Sequence, residues 1–222
     1  MKIEVSPYFA QQDIALAYTV FTFENQAHSP QLWGELIAPM LQRIEQADTL
    51  DTIKNNPRIQ HTKAAFKKNG KDPARFRPSS DSLWRRVVQK KGLYQINDLV
   101  DVNNYLSLTH KLPIGSYDLD QLTEPIQLVL GEEGASYQGI GKDRVNLANV
   151  LVLKDDTGAF GSPISDSVRA LITEQTTRGL LVTYLFGQTA EEVAHIQQDI
   201  KACLTTYLKS CTIQQQGIVK RD

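Results

Sequence analysis

The sequence predicts an α+β fold in a single domain, residues 1–222. Three observations lead there. Helical periodicity dominates before Pro113 and short β-rich runs dominate after it, without the strict βαβ alternation of a parallel sheet. No internal repeat or low-complexity linker marks a boundary. The 222 residues are 41% hydrophobic and 22% charged, enough to bury a sizeable core.

Taken in order, Ile14 to Phe23 is rich in β-branched and aromatic residues and reads as a strand. Ser29-Pro30 is a cap followed by a first-turn proline. Trp33, Leu36, Ile37, Met40, Leu41 and Ile44 then recur at helical spacing, so a helix is expected over Ser29 to Ala47, with Pro39 free to bend it. Asn56-Pro57 repeats the start signal and Asn69-Gly70 is a stop. Ser79, Ser80 and Asp81 sit where a capped helix begins, Leu83, Trp84, Val87 and Val88 give it an apolar side, and Gly92 ends it. Asn97 caps a further helix through Leu108, which Pro113 keeps from running on. Strands are expected at Ile126 to Leu130, Ser136 to Ile140, Val150 to Lys154 and Gly179 to Phe186, with Asp155-Asp156-Thr157-Gly158 as a hairpin turn. A long helix over Thr189 to Lys209 closes the chain.

No apolar run approaches the ~20 residues of a bilayer-spanning helix. Met1 to Ser6 shows no secretory pattern, and Cys203 and Cys211 read as free thiols in a reducing compartment. A cytoplasmic protein is expected. His28, His61, His110 and His195 stand alone, so no metal is expected, and no cofactor either: Walker and dinucleotide fingerprints are missing, and Gly139-Ile140-Gly141-Lys142 reads as a hairpin. No nucleophile elbow is present.

Net charge is −1, but it is unevenly spread. Lys54 to Lys91 holds twelve Lys/Arg against Asp72 and Asp81, a local +10, leaving −11 on the rest. Such asymmetry suits a face that meets a polyanion, and equally a solvated pair of basic helices. Within it, Arg75, Arg77, Arg85 and Arg86 surround Phe76, Ser79 and Ser80. Guanidinium forks beside a helix start suit phosphate or carboxylate, and Phe76 can stack on a base or enter the core. Asn103 and Asn104, weak helix formers inside a helix, orient a substrate or form a buried network. In Leu112-Pro113-Ile114-Gly115-Ser116-Tyr117-Asp118-Leu119-Asp120, turn chemistry alone is an adequate reading.

Together these stretches resemble a known family. Asp101-Val102-Asn103-Asn104-Tyr105 and Leu112-Pro113-Ile114-Gly115-Ser116-Tyr117-Asp118-Leu119 are similar to Asp-x-Thr-Asn-Tyr and Gln-Pro-x-His-Ala-Phe-Asp-Leu of the phenylalanyl-tRNA synthetase beta chain, in domains three and four, its tRNA-editing module. Gly161-Ser162-Pro163 and Thr173 to Thr177 resemble that family's Leu-Ala-Gly and Glu-Asp-Thr stretches. Arg77-Pro78-Ser79-Ser80 and Thr176-Thr177-Arg178 resemble its free-standing members. The resemblance spans roughly 57–186, with the C-terminal helix at about 189–209 beyond it.

It implies a three-layer β/β/α sandwich without the synthetase's catalytic core. It also implies binding of tRNA or aminoacyl-tRNA, with no membrane or DNA partner, and possible hydrolysis of a mischarged aminoacyl ester. Asn104 and Asn103 would be the catalytic pair. Gly115, Tyr117, Asp118, Ser162, Pro163, Val182 and Arg178 would meet the substrate, and Arg75, Arg77, Ser79, Ser80, Arg85 and Arg86 the RNA. Gly115 stands where the family has His, and Val182 where the synthetase has a Glu that reads the tyrosine hydroxyl, so tyrosine selectivity does not carry over. An activated ester needs only a positioned water and oxyanion donors, so the missing nucleophile does not exclude hydrolysis. The alternatives are a non-catalytic module that binds RNA or an amino-acid-like ligand through Arg77, Ser79 and Arg178, and a protein-interaction domain on the same fold.

Overall fold

Alternation along two strands organises the molecule. In the computed structural model, which describes residues 1–221 (of Lys142 the backbone alone), β2 (Ile14–Glu24) and β9 (Arg178–Phe186) pair antiparallel at the centre of a sheet. Leu16, Tyr18, Val20, Leu180, Val182, Tyr184 and Phe186 enter one hydrophobic cluster, while Ala17, Phe21, Phe23, Leu181 and Leu185 enter another. Side chains leave a strand on alternate faces, so both faces of this sheet are covered. That explains why these strands are nearly continuous apolar runs. Each fully buried Leu or Phe there contributes about 1.5–3 kcal/mol.

The central sheet has the order β10-β2-β9-β3, with β3 (Ile114–Asp118) and β10 (Lys209–Lys220) at its edges. A second sheet, β1-β4-β7-β8, contains β1 (Ile3–Val5), β4 (Ile126–Leu130), β7 (Leu151–Asp155) and β8 (Gly158–Gly161). Its Ile3, Val5, Ile126, Leu128, Leu151, Leu153 and Phe160 close the first cluster. A ribbon of β5 (Ser136–Gly139) and β6 (Lys142–Asn146) stands beside it.

On the other face lie α1 (Pro30–Leu32), continuing through a π turn (Trp33–Ile37) into α2 (Ala38–Ala47), then α6 (Asp98–His110) and α7 (Ala190–Tyr207). Three further helices, α3 (Leu50–Asn55), α4 (Pro57–Lys68) and α5 (Ser79–Val88), extend the helical side, where Trp84 and Val87 join a satellite core with Ile44 and Ile59. The fold is α+β, and its layers run sheet, sheet, helices.

Several expected elements stand where periodicity placed them, with shifts at their ends. Asn56 and Asn97 cap α4 and α6 through their side chains, and α6 runs two residues past Leu108 before Lys111 adopts a left-handed conformation. The cap expected of Ser79 or Ser80 is corrected. Pro78 is the N-cap and makes no side-chain bond, so Ser79 is the first helical residue and Ser80 is buried. Gly92 lies beyond the end of α5, which stops at Val88. The helix expected to reach Lys209 ends at Tyr207, because the chain turns there into β10. No helix among the described residues is long and apolar enough to cross a membrane.

Candidate functional site

Gly115 of β3 faces Val182 of β9 in register, and strand alternation puts Tyr117 on the same face as Gly115, between the two sheets. The space over Gly115 is therefore filled from within the chain. A Cβ there would lie 2.1 Å from the Tyr117 hydroxyl, and one on Gly161 would lie 2.3 Å from it. Two glycines thus make a slot for one phenol ring, which also meets Phe160 edge-on at 4.9 Å. Tyr117 is 1% exposed and Val182 wholly buried.

The phenol is not stranded. Its hydroxyl donates to Asp166 Oδ1 at 2.8 Å and lies 3.4 Å from the Tyr184 hydroxyl. Ser162 N–H donates to the same carboxylate oxygen at 3.1 Å. Burial pushes Asp166 up to about 7, against the pull of the Tyr117 hydroxyl and the Ser162 N–H, and lifts Tyr117 and Tyr184 well above the ordinary phenol range. Ser162 Oγ accepts from Tyr137 Oη at 3.0 Å and donates to the Ser165 carbonyl at 2.8 Å. Loop 161–166 is held by this network, and the Pro163 carbonyl accepts from Ser79 N–H at 2.8 Å, tying the start of α5 to it.

The amide pair lies on α6, on the helical side of β3. Asn104 is half-buried. Asn103 is 8% exposed, and its Oδ1 is buried without a hydrogen-bond partner. An unpaired buried acceptor costs about 1–3 kcal/mol, so Asn103 offers an oxygen to a donor not supplied by the described residues. Ser107 Oγ, one turn on, donates to the Leu112 carbonyl at 2.7 Å and ties α6 to the turn leading into β3. Both oxygens of Asp118 are engaged: Asp120 N–H of its own turn and Thr176 Oγ of the segment leading into β9 donate to them at 3.0 and 2.8 Å. Arg178 forms a half-exposed ion pair with Asp120 at 2.6 Å.

The arginine-rich stretch divides. Arg75 and Arg77 are exposed, and Phe76 is only half-buried, outside the core, with the Lys71 ammonium 3.8 Å from its ring centre. Arg85 is paired with buried Asp81 at 2.5 Å, and Lys63 takes the other oxygen of Asp81 at 2.5 Å. The start of α5 is not an open anion seat: Ser79 N–H is bonded, Ser80 Oγ is buried, and the Asp81 carboxylate occupies the first turn. Arg86 lies over the exposed ring of Tyr94, 4.0 Å from its centre.

Gly115, Tyr117, Ser162 and Val182 gather around the inter-sheet slot, Pro163 joins them to Ser79, and Arg178 pairs away from them. Sequence reasoning missed Asp166, Tyr184 and Tyr94. The Gly115-x-Tyr117 spacing, period two on a strand, was the available signal for the filled slot. No group of three or more His, Cys, Asp or Glu able to hold a metal occurs among the described residues.

The B3/4 domain family matches residues 61–203. The phenylalanine–tRNA ligase beta subunit of Pectobacterium atrosepticum is 31% identical over 108 residues, covering 47% of this chain and 14% of that protein. The same subunit of Neisseria meningitidis serogroup A is 27% identical over 100 residues, covering 40% and 13%. This chain thus spans only 13–14% of the length of these relatives. An N-terminal fragment of the phenylalanyl-tRNA synthetase beta subunit from Pyrococcus horikoshii overlays 99% of this chain and 50% of that one, at 13% identity and a TM-score of 0.47.

Proposed function

Because the chain belongs to the B3/4 domain family, we propose that it is a tRNA-binding module that handles aminoacyl-tRNA. The observation that carries this reading is the basic stretch 54–91. Folded into α3, α4, α5 and their connections, it keeps Lys54, Lys67, Lys68, Arg75, Arg77, Lys90 and Lys91 exposed, though the whole chain carries only −1. Phosphate contacts release counterions, so affinity should fall steeply with salt, on the order of tenfold for a few-fold rise when several contacts form. Filter binding of tRNA across a salt series tests it. Affinity that is flat with salt, or absent at low salt, overturns it.

Hydrolysis of the aminoacyl ester is a second reading, favoured by the buried, unpartnered Asn103 Oδ1 beside half-buried Asn104. Such an amide oxygen suits a water or a substrate amine, and the ester is already activated. The slot over Gly115 offers the aminoacyl group no pocket in this reading, since it lies on the other face of β3 from the amide pair and is filled by the chain's own Tyr117 phenol. Incubation with a panel of correctly and incorrectly charged tRNAs separates the readings. Asn104→Ala is expected to slow deacylation of one class while leaving tRNA affinity nearly unchanged; a panel flat at the spontaneous rate leaves a binding module alone.

A further inference from the structure

We infer that the connection between α5 and α6 is a stacking platform for unpaired nucleotides of an RNA, a surface that deepens the tRNA-binding reading and rests on it. From Ser82 to Asn97 the chain carries Arg85, Arg86, Lys90 and Lys91 and no acid. Basic residues after a helix have an ordinary explanation in the negative end of the helix dipole. That explanation does not extend to the large side chains that follow. Tyr94 is 65% exposed and Ile96 51% exposed, in a segment without regular structure.

The geometry of Tyr94 is specific. The Arg86 guanidinium lies 4.0 Å from its ring centre and donates to the Lys91 carbonyl at 3.2 Å. Backbone bonds from Lys90 N–H to the Val87 carbonyl and from Lys91 N–H to the Arg86 carbonyl, at 2.8 and 3.0 Å, lock the turn out of α5. Lys90 and Gly92 take left-handed conformations there, with φ of 57° and 58°. One face of the phenol is thus covered by a cation fixed to a rigid turn, and the ring stands in solvent with exposed Lys90 and Lys91 nearby in the chain. A nucleobase stacks on an aromatic face, and flanking cations take its phosphates, which is how unpaired nucleic acid is held without sequence readout. A duplex cannot present its base faces in this way except at its end.

The test uses the whole protein, a short single-stranded oligoribonucleotide, the same oligonucleotide with abasic positions, and tRNA, each followed by fluorescence anisotropy at low salt. Tyr94→Ala is expected to weaken the oligonucleotide by about tenfold or more, the size of one stacked base, while Tyr94→Phe keeps wild-type affinity. Abasic substitution is expected to erase the difference between wild type and Tyr94→Ala, which loss of an Arg86-holding ring alone would not do. Unchanged oligonucleotide and tRNA affinity in Tyr94→Ala, with a loss in Arg75→Ala or Arg77→Ala, overturns the platform and leaves the tRNA reading standing. So does an equal loss in Tyr94→Phe and Tyr94→Ala. A wild-type protein that binds neither RNA overturns both.

Discussion

Tyr117 and Tyr94 are the same residue in opposite surroundings. The first lies between two sheets, with glycines on either side and a carboxylate at its hydroxyl. The second stands in water under a guanidinium. Tyr117 is part of how the two sheets hold together, whereas Tyr94 contributes little to that packing and is left open to a partner. A polar aromatic in this chain is therefore read from its neighbours: two glycines within reach of one hydroxyl signal a plug, and a cation over a bare ring signals a contact surface.

The largest effect expected from breaking this contrast is on the plug. Tyr117→Ala leaves a cavity between the sheets and should cost about 3–5 kcal/mol in urea unfolding. Gly115→Ala comes next. Its new methyl would meet the Tyr117 hydroxyl at 2.1 Å on a strand pinned to β9, so about 1–3 kcal/mol of strain is expected, and Tyr117→Phe in the same chain should return part of it. A variant as stable as the wild type would show that the ring has room to move.

The pH dependence sharpens the same point. The folded chain holds Asp166 at about 7, above the ordinary carboxylate value near 4 of an unfolded chain. Its contribution is fully present below about pH 4 and is lost as pH rises towards 7, because ionising it inside the protein is harder than outside. Asp98, raised to about 6 by burial, works in the same direction, while His110, lowered to about 4 by burial, works in the opposite one. The readout is therefore a difference: unfolding free energy of wild type minus Asp166→Asn, followed from pH 4 to pH 7, should decline. A flat difference would mean that the carboxyl is solvated. The smallest change is expected on the open side, where Tyr94→Ala should alter stability by no more than about 0.5 kcal/mol in the same urea series.

Much of the framework was legible because local chemistry and burial agree. The Asn56-Pro57 and Asn97 signals begin real helices, and the apolar runs of β2 and β9 are strands because both of their faces are covered. β10 was not legible. Cys211 to Lys220 interleaves glutamines with apolar residues at a sheet edge, with bulges between Lys209 and Thr212 and between Ile213 and Gln215, and it reads as polar chain until β2 is beside it. In the candidate site, Gly115 and Ser162 were visible as motif positions, but their meaning depends on Asp166 and Tyr184, which only the meeting of β3, β9 and loop 161–166 brings together. Ser80 and Arg85 were read as ligand groups because sequence cannot show Asp81 turning inward beside them.

The pairing of β10 with β2 also sets an order of events. Ala15 lies opposite Lys220, so the central sheet closes through one of the longest sequence separations in the chain. Contacts of that span carry the loop-closure entropy of nearly the whole chain and form late, which slows folding. On the ribosome, β2 emerges before either of its neighbours, so that one flank waits for β9 and the other for residues beyond 209. Until Lys220 is out, that flank is an unpaired strand edge, the feature of a nascent chain most prone to pair with a neighbour.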